Sequence, residues 1–322
     1  MKPNCLIRAA LAGLLATAAS ACLAQAFPSK PVRMLVGASA GGTTDTLARV
    51  VGQEMSRALS QAVVVENRAG AGGNLAAEAV ARAVPDGHTL LMSFTSHTIN
   101  ATLYPKLPFD PVADFTPITM VATVPNVLVG HPSVPAADLK ALVEMARAQP
   151  GKLNFAIGGI GSSLHLAGDM FKQRAALDIV NVAYKGTAPA LTDVLAGQVQ
   201  LMFASPVAAL QHIRAGKLRA YAVTSNRRMP QLPEVPAVSE LFPYFESIAW
   251  FGVFGPAKLP ADVTRRLNES VVAGLASADV RRRLEAEGAQ PVGNSPEAFA
   301  AFVREDVRRW EPLVRDSGAK PE

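Results

Sequence analysis

Apolar and polar positions repeat in one order along most of this chain. A short apolar run is followed by a turn rich in glycine or hydroxyls, and the turn opens onto a segment with apolar residues three and four apart. The first such unit shows the rule. Val32-Arg33-Met34-Leu35-Val36 predicts a strand and Gly37-Ala38-Ser39-Ala40-Gly41-Gly42 predicts a turn. The helix that follows has Leu47, Val50, Val51, Met55, Ala58 and Leu59 on one face and Arg49, Gln53, Glu54 and Arg57 on the other. Thr43 or Thr44 can cap this helix, and Asp45 suits the positive end of its dipole. Bare N–H groups at such a helix start form a ready anion site, although a tight turn with no ligand explains the same residues.

The pattern continues through Ala62-Val63-Val64-Val65-Glu66, a second glycine loop from Asn67 to Asn74, and a predicted helix over 75–83. Thr89-Leu90-Leu91-Met92 predicts a third strand, ending in the polar cluster Ser93-Phe94-Thr95-Ser96-His97-Thr98. Strands alternating with helices imply a parallel sheet covered on both faces, with ligands outside the carboxyl ends of the strands. A Pro-rich stretch, 104–117, leads to a strand-like run over 118–129, broken at Pro125-Asn126. That break predicts a crossing between two lobes.

A second alternation then begins. Helix 138–148 precedes strand Leu153-Asn154-Phe155-Ala156-Ile157 and a third glycine loop, Gly158-Gly159-Ile160-Gly161, with Ser162 and Ser163 opening a helix over 164–174. Strand 179–183 leads to Tyr184-Lys185-Gly186-Thr187 and helix 188–196. Strand 199–203 leads to Ala204-Ser205-Pro206 and helix 207–214, and strand 218–223 ends at Thr224-Ser225. A second Pro-rich connector, 229–247, precedes Ile248-Ala249-Trp250-Phe251-Gly252-Val253-Phe254, the predicted recrossing strand. Helices over 261–276, 278–287 and 296–317 close the chain. The last carries a buried stripe of Phe299, Phe302, Val303, Val307, Trp310, Leu313 and Val314. The expected architecture is α/β with two lobes, 27–125 plus 248–322 and 126–247. Two crossing strands join them, and the turns of both lobes face a cleft that can close on a hinge.

Composition agrees with a folded body: among 322 residues, 49% are hydrophobic and 18% charged, which argues against disorder. The net charge is +5, but Lys2 and Arg8 lie in the first 26 residues, and Arg281-Arg282-Arg283 is countered by Glu285 and Glu287. No basic stripe interleaves with aromatics, so no nucleic-acid partner is expected. The start of the chain has the form of a cleavable signal peptide, 1–26: a basic start, an apolar run over 9–19, and Ala24-Gln25-Ala26 before Phe27. Ala19-Ser20-Ala21-Cys22 lacks the large aliphatic residue of a lipoprotein box, so free periplasmic release is expected over a lipid anchor on Cys22. Cys5 and Cys22 are the only cysteines, so cleavage there removes thiol and disulfide chemistry.

Catalytic signatures are missing. Gly161-Ser162-Ser163-Leu164-His165 lacks the trailing glycine of a nucleophile elbow, and the five histidines are scattered. No glycine loop is followed by a P-loop lysine, and no cofactor or metal is expected. A small-ester hydrolase built on Ser162 and His165 is the rival reading.

Several segments carry a specific resemblance. Ala40-Gly41-Gly42-Thr43-Thr44-Asp45, the stretch from Val64 to Asn74, Pro85-Asp86-Gly87-His88-Thr89-Leu90-Leu91, Tyr184-Lys185-Gly186-Thr187-Ala188-Pro189-Ala190 and Ala215-Gly216-Lys217-Leu218-Arg219-Ala220 closely resemble the Bug family in order and spacing. These are the periplasmic solute-binding receptors of tripartite tricarboxylate transporters. The resemblance implies a Venus-flytrap fold that captures a small organic acid, with two membrane transporter subunits as partners. A sensing role uncoupled from transport is a further alternative. Mapped onto this sequence, it implies ligand contacts at Ala38, Ser39, Gly41, Gly42, Thr43 and Asp45, and at Ser93, Thr95 and Ser96. In the other lobe it implies contacts at Gly158, Gly161, Ser162, Ser163, His165, Tyr184, Lys185, Gly186, Ala204 and Ser205.

Three departures matter. Gly37-Ala38 stand where the family often has Pro-Phe, which predicts a wider mouth and a larger or aromatic carboxylate. Ala204 stands where an Asp is frequent, which removes a reason to expect an amine on the ligand. Gly159 stands where a serine often follows the first glycine, which puts one hydroxyl contact in doubt.

Overall fold

The computed structural model describes residues 27–184, 186–286 and 288–321. The signal segment and Lys185 therefore lie outside the described residues. The strands form two sheets. The first has the order β11-β4-β10-β3-β1-β2, with β1 (Val32–Val36), β2 (Val63–Asn67), β3 (Thr89–Phe94), β4 (Phe115–Pro125), β10 (Ile248–Pro256) and β11 (Gln290–Pro291). The second has the order β7-β6-β8-β5-β9, with β5 (Val127–Gly130), β6 (Asn154–Ile157), β7 (Val180–Ala183), β8 (Leu201–Ala204) and β9 (Arg219–Val223).

Each sheet is covered on both faces because successive strand residues point to opposite sides. From β1, Met34 packs with Leu47, Val51 and Met55 of α1 (Thr43–Leu59) and with Leu267 and Val271 of α8 (Ala261–Ala276). Its neighbour Leu35 packs the other way, with Ala77 and Val80 of α2 (Asn74–Ala81) and Phe299 and Val303 of α10 (Pro296–Ser317). In the second sheet Phe203 joins the cluster with Leu142 of α4 (Leu139–Ala148) and Phe171 of α5 (Ser163–Ala175). Met202 joins the one with Val194 of α6 (Thr187–Leu195) and Leu210 of α7 (Pro206–Arg214).

Strand directions place the cleft. β1, β2 and β3 are parallel and β10 runs antiparallel to both β3 and β4, so β1 to β4 end at one edge. In the second sheet β6, β7 and β8 are parallel and β5 opposes both β8 and β9, so β6 to β9 end together. The chain leaves the first edge at Pro125 and enters the second at Val127, beside Ala204. The carboxyl edges of the two sheets therefore meet across the crossing point.

Thr224 knits that crossing. Its hydroxyl accepts from the Asn126 N–H at 2.7 Å and donates to the Ser247 carbonyl. Its N–H donates to the Asn126 carbonyl at 2.9 Å, and the Ser247 N–H donates to its carbonyl at 3.0 Å. Both passages between lobes are thus hydrogen-bonded to one residue.

The polar cluster after β3 differs from the expected turn. It opens an unforeseen helix, α3 (Ser96–Leu103), whose residues from Ser96 to Asn100 are buried. The remaining helix, α9 (Ala278–Ala286), leans on the other lobe, where the Gln231 amide donates to the Glu285 carbonyl.

Candidate functional site

In the first lobe, the loop before α1 leaves Ser39, Gly41 and Gly42 exposed and Ala38 and Thr43 half-buried. Gly42 is the N-cap and no side chain caps the helix, so its first N–H groups lack intrahelical partners. Gly41 has φ +81° and open space where a Cβ would stand. Asp45 is buried and ties the loop down from beneath. Its Oδ2 accepts from the Gly41 N–H at 2.9 Å and from Arg49 at 3.0 Å, and its Oδ1 accepts from the Asn67 amide at 3.0 Å. Asn67 also donates to the Ala38 carbonyl at 3.0 Å. Burial alone pushes the Asp45 carboxyl up, but Arg49, the Gly41 N–H and Asn67 together hold it below the usual carboxylate range.

The second edge of this lobe is the start of α3. Ser93, Thr95 and Ser96 are all buried, and Thr95 is already engaged: its hydroxyl accepts from the Trp250 N–H at 2.9 Å. Trp250, a candidate for either core or cleft, lies in the core at 1% exposure.

In the second lobe, Ser162 is the N-cap of α5 and its hydroxyl accepts from the His165 N–H at 3.2 Å. His165 Nδ1 accepts from the Gly161 N–H at 3.0 Å, which places its proton on Nε2, 3.0 Å from Asp169 Oδ2. Both ring nitrogens are occupied, so His165 is not free to serve as a base for Ser162. Lys172 and Asn181 complete the cluster on Asp169 Oδ1, at 2.8 and 3.0 Å. Burial pushes Asp169 up, but His165, Lys172 and Asn181 outweigh it and hold the carboxyl far below its ordinary value.

Gly158 is required at its position, because a Cβ there would lie 2.7 Å from the Thr187 Cα at the start of α6. Gly186 is the N-cap of α6, again without a side-chain cap. Tyr184 is half-buried and its hydroxyl donates to Asp193 at 2.7 Å. Desolvation and the neighbouring Asp193 push that phenol up to about 12. Ala204 is fully buried in an apolar cluster with Val127, Met202 and Val223. Ser205, the next residue, is half-buried and is the N-cap of α7.

The lobes touch on two sides of this cleft. Thr43 Oγ1 lies 3.5 Å from Ser205 Oγ. On the other side, Leu166 of α5 clusters with Ile99, Leu103, Trp310 and Val314 of the first lobe. A Cβ on Gly161 would lie 2.1 Å from the Leu103 side chain. An apolar recess of about 250 Å³ opens beside Thr43, lined by Leu47, Val50, Val207, Leu284 and the Arg283 side chain. A larger groove of about 680 Å³ runs along the Pro-rich stretch near Tyr104 and Val307, away from every predicted site residue. Among the described residues, no group of three or more His, Asp or Glu side chains converges to hold a metal ion.

The arrangement offers backbone N–H groups and small hydroxyls, with its carboxylates and imidazole committed internally. Such chemistry can hold a small anion without a buried arginine. The profile of the family described as "Tripartite tricarboxylate transporter family receptor" matches residues 47–319. BugT of Bordetella pertussis is 37% identical over 300 residues, covering 92% of each chain. Rpa4515 of R. palustris, solved with adipate, superposes with a TM-score of 0.85 at 34% identity, covering 92% of this chain and 100% of its own. MatC from Rhodopseudomonas palustris, solved with bound malate, superposes with a TM-score of 0.80 at 36% identity, covering 89% of this chain and 100% of its own. With its paired carboxyl edges and its family match over residues 47–319, the chain belongs to the Bug family of periplasmic solute-binding receptors of tripartite tricarboxylate transporters.

Proposed function

We propose that this receptor captures a small organic carboxylate between its lobes and hands it to the two membrane subunits of a tripartite tricarboxylate-type secondary transporter. The observation that carries this is the meeting of two helix starts without side-chain caps, α1 from one lobe and α7 from the other, through Thr43 and the N-cap residue Ser205. The headgroup would lie among the N–H groups and hydroxyls of 38–43, 158–163, 184–187 and Ser205. The lobes taking part would be 27–125 with 248–322, and 126–247. The adipate- and malate-bound relatives support the ligand class. The signal-peptide form of the sequence over residues 1–26 supports a periplasmic location. No helix among the described residues is long and apolar enough to cross a membrane.

Two features narrow the ligand. Ala38 leaves the loop without a bulky side chain, and the recess beside Thr43 offers apolar walls. Both favour a larger or aromatic acid. Asp45 is saturated by Gly41, Arg49 and Asn67, and Ala204 contributes a buried methyl. A ligand ammonium would find no carboxylate at these positions, so plain acids are favoured over amino acids.

The test is native mass spectrometry of the periplasmic protein, followed by calorimetric titration with adipate, malate and an aromatic acid such as benzoate. A bound acid, or micromolar binding of one of the three, is the expected result. Binding restricted to amino acids would overturn the ligand class, and an Ala38→Phe variant that binds the best acid unchanged would overturn the wide-mouth argument.

A further inference from the structure

Asp306 is a buried acid on the apolar stripe of α10, only 3% exposed. Its Oδ2 collects three donors from three elements: the Thr98 hydroxyl of α3 at 2.6 Å, the Trp250 Nε1–H of β10 at 2.7 Å and the Trp310 Nε1–H of α10 at 3.1 Å. These are the only two tryptophans in the sequence. The nearest cation, Arg309, stands 4.0 Å from Oδ1 and is itself partly exposed. Burying a carboxylate is costly unless its partners are well placed. Burial does push this carboxyl above its ordinary range, against the pull of Thr98, Trp250, Arg309 and Trp310.

Each partner leads to the cleft. Thr98 is in the first turn of α3, whose start forms part of the carboxyl edge. Trp250 holds the Thr95 hydroxyl through its backbone N–H and sits three residues after Ser247 of the hinge. Trp310 belongs to the cluster that includes Leu166 from the other lobe. One carboxylate thus fastens the cleft helix, the recrossing strand and the apolar contact between lobes.

We propose that Asp306 is a positioning residue: it sets the start of α3 against the contact between lobes, and it makes the two tryptophans a built-in reporter of lobe closure. The ligand side of this inference rests on the carboxylate-receptor reading above; the lobe-position side stands without it.

The experiment compares wild type, Asp306→Asn and Thr98→Val in three measurements: tryptophan emission, small-angle scattering of the ligand-free protein, and calorimetric titration with adipate and malate. Emission of Trp310 is isolated in a Trp250→Phe background. The expected result is a larger radius of gyration and a red-shifted Trp310 emission in both variants. Whichever acid binds wild type should bind on the order of tenfold more weakly, the size of a typical coupling between sites. A melting point lowered by Asp306→Asn with radius, emission and affinity unchanged would reduce the residue to a structural staple and overturn the proposal. If neither acid binds wild type, the ligand reading loses support, while the radius and the Trp310 emission still decide the role of Asp306. If Asp306→Asn does not fold, Thr98→Val, which deletes one hydroxyl, decides it by the same three measurements.

Discussion

In the first lobe the loop before α1 is fastened from beneath by Asp45; in the second, the loop before α5 is fastened by His165. The geometry is the same. A glycine N–H, Gly41 or Gly161, donates to a side chain four residues on, one turn into the helix. The charge is not the same. Asp45 sets a full negative charge under the positive end of α1, where it competes with any incoming anion. His165 presents a neutral nitrogen to its loop and passes the negative charge one turn deeper, to Asp169, where Lys172 offsets it. On the proposed function, α5 and α6 of the second lobe take the larger share of the headgroup's charge, and the first lobe closes over it with Thr43 and its open N–H groups. The glycines differ as well: Gly41 faces open space, whereas Gly161 presses on Leu103 across the cleft.

The strongest test of this contrast is the pair Gly161→Ala and Gly41→Ala. Both have positive φ, so each pays backbone strain of about 1–2 kcal/mol. Only Gly161→Ala adds overpacking, about 1–3 kcal/mol more, and it adds it between the lobes. Titration with adipate should show the larger loss of binding for Gly161→Ala, and scattering should show its lobes held apart; equal losses in the two variants would erase the difference.

Next in size is acid sensitivity in the first lobe. His97 is wrapped by Phe109, Phe115 and Phe254, and burial pushes its imidazole down to about 4. Its neutral form is favoured in the fold, so this contribution is complete above the ordinary value near 6.5 and drains away as pH falls toward 4. The loss is on the order of 3 kcal/mol by pH 4. Denaturant unfolding across that window should be steep for wild type and flatter in His97→Leu, although the variant is less stable at neutral pH.

Asp45→Asn comes third, with about 1–3 kcal/mol lost at pH 7, because a buried hydrogen-bonded charge is replaced by a neutral amide. Since the Asp45 carboxyl is held low, its advantage over Asn exists above the ordinary carboxylate range and vanishes as pH falls through its own value. Melting curves of the two proteins should therefore converge in acid. The smallest effect is expected for Arg49→Ala. This arginine is 55% exposed in its pair with Asp45, and such solvent-screened pairs contribute little, less in high salt. A salt series of melting points would show it.

The alternation of strands and helices was legible because buried faces repeat every two or every three to four residues. The glycine loops stood out as breaks in those periods, and the crossing at Pro125-Asn126 stood out because it interrupts a long apolar run. What stayed hidden was polar and buried. α3 looks like a loop by composition, yet Thr98 is held by Asp306, His97 by the Pro111 carbonyl and Asn100 by Asn74. Those partners lie far away in the chain, so no local period announces them. Asp306 did leave a signal: it falls between Val303 and Trp310 at helical spacing, on the stripe itself. The Ser162 hydroxyl and His165 ring are close in sequence, but only coordinates show that the ring already serves Gly161 and Asp169.

The Thr224 knot has a mechanical consequence. With both passages pinned to a single residue, neither can lengthen or twist without the other, which leaves the halves one axis to swing about. Contacts made near that axis move little, while surfaces at the outer rim travel furthest. On the proposed function, a grip on a few atoms deep in the gap would thereby be magnified into a displacement on the outside of the molecule, where a membrane partner would meet it.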